Sequence, residues 1–261
     1  MDELKKTKEL VKRYLKKTMK SYSDDIFSEE DLEFLARYSV KKEGCESEIL
    51  KDLGLIRGKE TVQSYYIEHD AVKEAKDCIQ AIYERFNTKR NSQKEKEHPV
   101  DVFGDDFEAF FAWWCEKTPE DGIRECCYCG VHEDTVRVAF AKDEKDECVI
   151  SSKKRSFSGE LQIERKDPNE DYSADNCEFA CVICNNAKSD MISAEDFKKF
   201  FVPGIKEYWA HIEEEIKKKN PGKKLAVARP CIFARQSTSH PANAAKKGWT
   251  LRYRLSGSLF Q

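Results

Sequence analysis

The sequence predicts an α+β protein, mostly helical, in which a small strand–loop–strand–helix unit is fastened by four cysteines and preceded by a helical N-terminal domain. Three observations predict it. Cys126 and Cys129 stand at Cys-x2-Cys spacing, as do Cys181 and Cys184. That spacing lets each tight turn present two thiolates to one tetrahedral Zn²⁺. Between the pairs, Leu161-Gln162-Ile163-Glu164 alternates apolar and polar, and Cys177-Glu178-Phe179-Ala180 reads as a second short strand. Upstream of Asn87 the apolar residues recur at helical spacing instead.

Bulk composition narrows the class. The chain has 261 residues, 36% of them charged and 39% hydrophobic. No apolar run approaches the ~20 residues of a membrane span. Met1-Asp2-Glu3-Leu4-Lys5-Lys6 has no apolar signal core, so the expected location is intracellular. Of 11 cysteines, the two close pairs point to bound metal rather than a disulfide framework. The net charge of −3 does not advertise a nucleic-acid binder. From Asn220 onward, however, Lys223, Lys224, Arg229, Arg235, Lys246, Lys247, Arg252 and Arg254 occur without a single acid. Such a local basic surface can engage phosphates while the rest of the molecule stays acidic.

The elements follow in order. Residues 1–20 form a basic amphipathic helix with Leu10, Val11, Tyr14, Leu15 and Met19 inward and lysines, Lys17 among them, on the solvated faces. A capping box at Ser28 to Asp31 opens a second helix. Residues 46–55 and 60–66 outline an αα-hairpin of a small bundle, with a helix-turn-helix as the alternative. A long helix is expected from about Ala71 to Phe86. The polar run from Asn87 to His98 reads as a linker closed by Pro99. This divides the chain into a helical domain at 1–87, a linker at 88–99, a zinc-stapled domain at 100–205, and a helix with a basic tail at 206–261. Phe107, Phe110, Phe111 and Trp114 share one helix face as core, packed on the first knuckle. Asp167-Pro168-Asn169 breaks the chain after the first strand. A helix begins near Asn185, and Ser193 with Asp196 caps the next.

Cys126, Cys129, Glu164, Asn176, Cys181, Cys184 and Asn185 together resemble the HNH endonuclease family, whose ββα-metal fold cuts nucleic acid with a divalent cation. The likeness covers roughly residues 105–200. It implies that Cys126, Cys129, Cys181 and Cys184 hold a structural zinc, with Cys127 the poorer ligand by spacing. It places Glu164 and Asn185 on a catalytic Mg²⁺ or Mn²⁺, makes Asn176 the brace of the inter-strand loop, and offers Lys188 as a phosphate clamp. The chain departs from the family at Arg165, where a histidine base is usual. Arginine stays protonated and cannot take the proton of the attacking water, but it can hold the scissile phosphate. Tyr172, with its pKa lowered by nearby cations, is then the expected base, and His132 the second candidate. The reading is a metal-dependent DNA endonuclease of restriction type, prokaryotic or phage, acting on double-stranded DNA, with a homodimer as the assembly such enzymes tend to form. The alternatives are a homing or phage nuclease and a zinc-stapled binding module that has lost catalysis.

Overall fold

The computed structural model describes residues 3–19, 22–23, 25–40, 45–96, 100–141, 149–150 and 159–219. The basic tail and its expected strand at 249–255 lie outside them. Five helices build the N-terminal layer: α1 (Glu3–Thr18), α2 (Glu29–Val40), α3 (Glu46–Asp52), α4 (Val62–Glu68) and α5 (Asp70–Lys94). The Ser28 capping box is present: the Ser28 amide donates to Asp31 Oδ2 at 2.9 Å and the Asp31 amide to Ser28 Oγ at 3.0 Å. α3 packs against α2 and α4, and α4 against α5.

Two sequence expectations fail here for physical reasons. The run expected as a linker is helical as far as Lys94, so α5 has 25 residues. Polarity misled because a long helix needs an apolar stripe only where it packs. Past Phe86 this one lies against polar backbone, and it buries Gln93 rather than an aliphatic side chain. Lys17 is likewise not solvated. It is 8% exposed, and its Nζ donates to Cys115 O (3.4 Å) and Thr118 O (3.0 Å). An ammonium there satisfies the open carbonyls at the C-terminal end of α6 (Phe107–Lys117).

α6 packs against α1, α2 and α5, and one apolar cluster extends from Val11 and Phe34 through Phe110 to Phe179. Trp113 and Trp114 lie 5.0 and 4.8 Å from the Phe179 ring. The sequence predicts this aromatic helix on the first knuckle; the ring contacts it makes with the cysteine-bearing unit are to Phe179 of the second strand segment. A helix absent from the sequence reading, α7 (Glu133–Phe140), follows the first knuckle. Its Glu133 accepts two bonds from the Arg124 guanidinium at 3.0 and 2.7 Å and one from the Leu161 amide at 3.0 Å. Burial alone would raise the Glu133 pKa, but Arg124 and Arg85 outweigh it and hold the carboxyl below the usual range.

The sheet has two antiparallel strands, β1 (Gln162–Arg165) and β2 (Cys177–Ala180), registered Gln162 to Ala180 and Arg165 to Cys177. An isolated pair of strands is marginal in water and needs its outer edges satisfied. On the β2 edge the Cys127 amide donates to Phe179 O (2.8 Å) and Trp113 Nε1 to Cys177 O (3.2 Å). The outward carbonyls of β1 all receive cations. Arg85 Nη1 reaches Leu161 O (3.2 Å), Lys89 Nζ reaches Ile163 O (3.4 Å) and Lys188 Nζ reaches Arg165 O (3.0 Å). The chain continues as α8 (Val182–Lys188), α9 (Ala194–Phe200) and α10 (Val202–Lys219). Strand, loop, strand, helix is thus the order over 162–188. No described helix is long and apolar enough to cross a membrane.

Candidate active site and metal centre

Two turns bring the four cysteines together. After Cys126 the chain reverses through Gly130 (φ 75°), a left-handed position that glycine takes without strain. Cys181 sits at the N-cap of α8, where the Cys184 amide donates to its Sγ at 3.4 Å. The Sγ atoms of Cys126, Cys129, Cys181 and Cys184 are buried and all within 4.8 Å of one another. Cys129 Sγ and Cys181 Sγ are 3.7 Å apart. Zn–S bonds of about 2.3 Å in a tetrahedron put the sulfurs roughly 3.8 Å apart. The donor set and its spacing therefore fit zinc, with no open position for water. Cys127 lies outside the cluster, and burial pushes its thiol pKa up.

A cleft of about 220 Å³ opens where β1 ends, lined by Lys96, Glu164, Arg165, Pro168, Tyr172, Asn185, Asn186, Ser189 and Asp190. Four of the six expected site residues thus face one space: Glu164, Arg165, Tyr172 and Asn185. Pro168 and Asp190 also line a larger hollow of about 580 Å³ along the 166–170 turn. Asn176 stands beneath the turn and bonds to backbone on both sides of it. Its Oδ1 accepts from the Asp167 amide (2.8 Å), and its Nδ2 donates to Asp167 O (2.9 Å) and Asp171 O (3.0 Å).

Glu164 is 6% exposed, and its Oε1 lies 2.9 Å from Lys188 Nζ. Burial raises its pKa, and Lys188, Lys89 and Arg165 oppose that rise. Asn185 Nδ2 donates to Gln162 Oε1, while its Oδ1 has no partner among the described residues. A carboxylate and an open amide oxygen on one cleft suit a hard, oxygen-seeking cation such as Mg²⁺ or Mn²⁺. Arg165 is held from two sides. Its Nη1 donates to Glu170 O (2.8 Å) and its guanidinium carbon lies 4.8 Å from the Tyr172 ring centre.

Three sequence expectations are corrected. Lys188 is fully buried, and its ammonium is committed to Glu164 and Arg165 O, so it cannot clamp a phosphate directly. The Tyr172 pKa is not lowered. Burial raises it, and Arg165 compensates only in part. His132 caps α7 half exposed, 3.4 Å from Glu125, and does not line the cleft.

The sequence reading missed Asp190, Ser189 and Lys96. Ser189 ends α8 at φ 55°, ψ −154°, a backbone region open to glycine and strained for any side chain. Its Oγ lies 3.2 Å from Asp190 Oδ1. The strain turns the chain so that both residues face the cleft. Ser189→Gly should therefore raise the melting temperature by a few degrees, about 1 kcal/mol. Calorimetry showing a lower melting temperature would mean that the Ser189 side chain stabilises more than its backbone costs.

No protein-family model matches the chain, and a comparison with curated proteins finds no match. Among solved structures, one described as "An extraordinary mechanism of DNA perturbation exhibited by the rare-cutting HNH restriction endonuclease PacI" is similar at 21% identity and a TM-score of 0.36. The match covers 51% of this chain and 79% of that one. So distant a likeness carries no residue correspondence, and the functional argument rests on the cleft itself.

Proposed function

We propose that this chain is a metal-dependent endonuclease hydrolysing phosphodiester bonds of double-stranded DNA. The observation that carries the reading is the meeting of Glu164, Asn185 and Arg165 on one cleft, at the end of a strand–loop–strand–helix unit stapled by four cysteines. Glu164 and Asn185 would hold the divalent cation, whose chemistry there would be to polarise the phosphoryl group and offset charge on the leaving 3′-oxygen. Arg165, fixed by Glu170 and the Tyr172 ring, grips a non-bridging oxygen of the scissile phosphate. Lys188 keeps the Glu164 carboxylate ionised from below, and Asn176 keeps the loop in shape.

Neither Arg165 nor a buried phenol of raised pKa is a ready proton acceptor at neutral pH. Tyr172 therefore holds the attacking water by hydrogen bond, and Asp190, the other carboxylate on the cleft, takes its proton. The water oxygen bonds to phosphorus, the P–O3′ bond breaks, and the products carry 5′-phosphate and 3′-hydroxyl ends. Cutting both strands needs two sites, which a homodimer of restriction type supplies.

Supercoiled plasmid and phage DNA incubated with Mg²⁺, Mn²⁺ or EDTA test the reading. Metal-dependent cleavage to discrete bands is expected, whereas intact DNA on every substrate overturns it. Among variants, Asp190→Asn should slow cleavage on the order of a hundredfold, and Tyr172→Phe less than tenfold. The reverse order would make Tyr172 the proton acceptor. One observation favours a second reading, a binding module without turnover: Lys188 already neutralises Glu164. That reading predicts DNA binding indifferent to Mg²⁺.

A further inference from the structure

The cations of α5 are registered to the catalytic strand. Arg85 and Lys89 are four residues apart, about 6.0 Å along a helix. Leu161 and Ile163, whose carbonyls they hold, are two residues apart, about 6.6 Å along a strand. The two rises nearly match, so the helix lies alongside the free edge of β1 with one cation per outward carbonyl. Lys89 also lies 4.8 Å from the Tyr172 ring centre, which ties the helix to the residue that supports Arg165.

The same helical face continues past the strand. Lys96 follows Lys89 by seven residues, nearly two full turns, and so returns to the side that faces β1. It lies just beyond the end of α5, where it lines the cleft beside Glu164, Arg165 and Asn185. Its side chain is exposed and makes no ion pair among the described residues. The neighbouring cations are already engaged. Arg90 and Lys94 pair with Asp105 at 3.0 and 3.9 Å, and Lys188 is buried against Glu164.

We infer that Lys96 is a DNA-phosphate-binding residue of the cleft, delivered from the helical layer by the registered cations Arg85 and Lys89, and that it holds a backbone phosphate next to the one gripped by Arg165. The inference rests on the nuclease reading above. A flexible, compact ammonium at the rim suits a phosphate whose position varies with sequence, whereas the planar fork of Arg165 suits the fixed scissile group. It also gives the N-terminal layer a part in the reaction centre, because Lys96 reaches the cleft only while α5 stays in register with β1.

Lys96→Ala, Lys96→Arg and a control, Lys94→Ala, test it, with a labelled duplex bound in Ca²⁺ across a salt series and cleavage followed in Mg²⁺. Lys96→Ala should weaken binding roughly three- to tenfold, raise KM with kcat nearly unchanged, and reduce the slope of log Kd against log salt by about one. Lys96→Arg should restore the slope, and Lys94→Ala should leave it unaltered. A wild-type enzyme that cuts DNA while Lys96→Ala keeps the full salt slope and KM overturns the inference alone. Failure of the wild type to cut or bind any duplex overturns the nuclease reading and the inference with it.

Discussion

Glu164→Gln should lower metal-dependent cleavage on the order of a thousandfold while leaving duplex binding within a few-fold of wild type. The amide keeps the size of the carboxylate but not the charge on which a hard cation depends. Glu164 is also half of a buried pair with Lys188, so its neighbour offers a second measurement. Lys188→Met strands a carboxylate at 6% exposure, which should cost about 3 kcal/mol at neutral pH. Burial raises the Glu164 pKa, and Lys188 is the main influence lowering it. A carboxyl whose folded pKa is raised favours folding most below its unfolded value, and that contribution disappears as pH rises through the folded value. Removing Lys188 lifts the folded value further. With no divalent cation added, the loss of melting temperature in Lys188→Met should therefore be small near pH 4 and grow towards pH 8. A deficit independent of pH would mean that Lys188 acts by filling space, and an undiminished Glu164→Gln enzyme would remove Glu164 from the reaction.

Legibility in the sequence followed how local each determinant is. The cysteine spacing, the two strands and the Ser28 and Ser193 caps depend on residues within a few positions of one another, and each is where the sequence puts it. The burial of Lys17 and Lys188 and the half-burial of Lys89 were not legible, because each lysine is inside only by virtue of a carbonyl brought up from a distant segment. Composition gives lysine a strong surface preference, and only tertiary hydrogen bonding overrides it. For the same reason the polar end of α5 read as a linker, when its partner is a strand edge some 75 residues further on. The Tyr172 pKa was misjudged because nearby cations can be guessed from sequence, whereas the larger effect of burial cannot. Ser189 reads as a small polar residue after a helix, which carries no hint of its backbone strain.

Stripping the metal from the cysteine cluster should have the largest effect of all. The β1–β2 unit, with its four-residue strands, buries too little to hold itself together, and its two ends are joined by the cluster. Structural zinc bound by thiolates contributes on the order of 10 kcal/mol of folding free energy at neutral pH. That exceeds what the α6 aromatics packed on Phe179 can offset. Cys181 carries two functions, as thiolate and as N-cap of α8, so Cys181→Ser keeps the cap and removes the ligand. The variant should purify with less than one zinc per chain and lose cleavage. Trp113 and Trp114, packed tilted and edge-on against Phe179, should report the collapse as a red-shifted emission. The N-terminal helices have their own caps and pack on one another within the shared core, so helicity in the far ultraviolet should fall only in part. Elemental analysis should find one zinc per wild-type chain, and a chelator strong enough to remove it should reproduce the variant. A wild-type protein that loses all its zinc yet keeps its tryptophan spectrum and melting temperature would show that the cysteines pack as ordinary buried thiols. The strand pair would then be held by its edge contacts alone, the Leu161 amide on Glu133 and the Cys127 amide on Phe179 O among them.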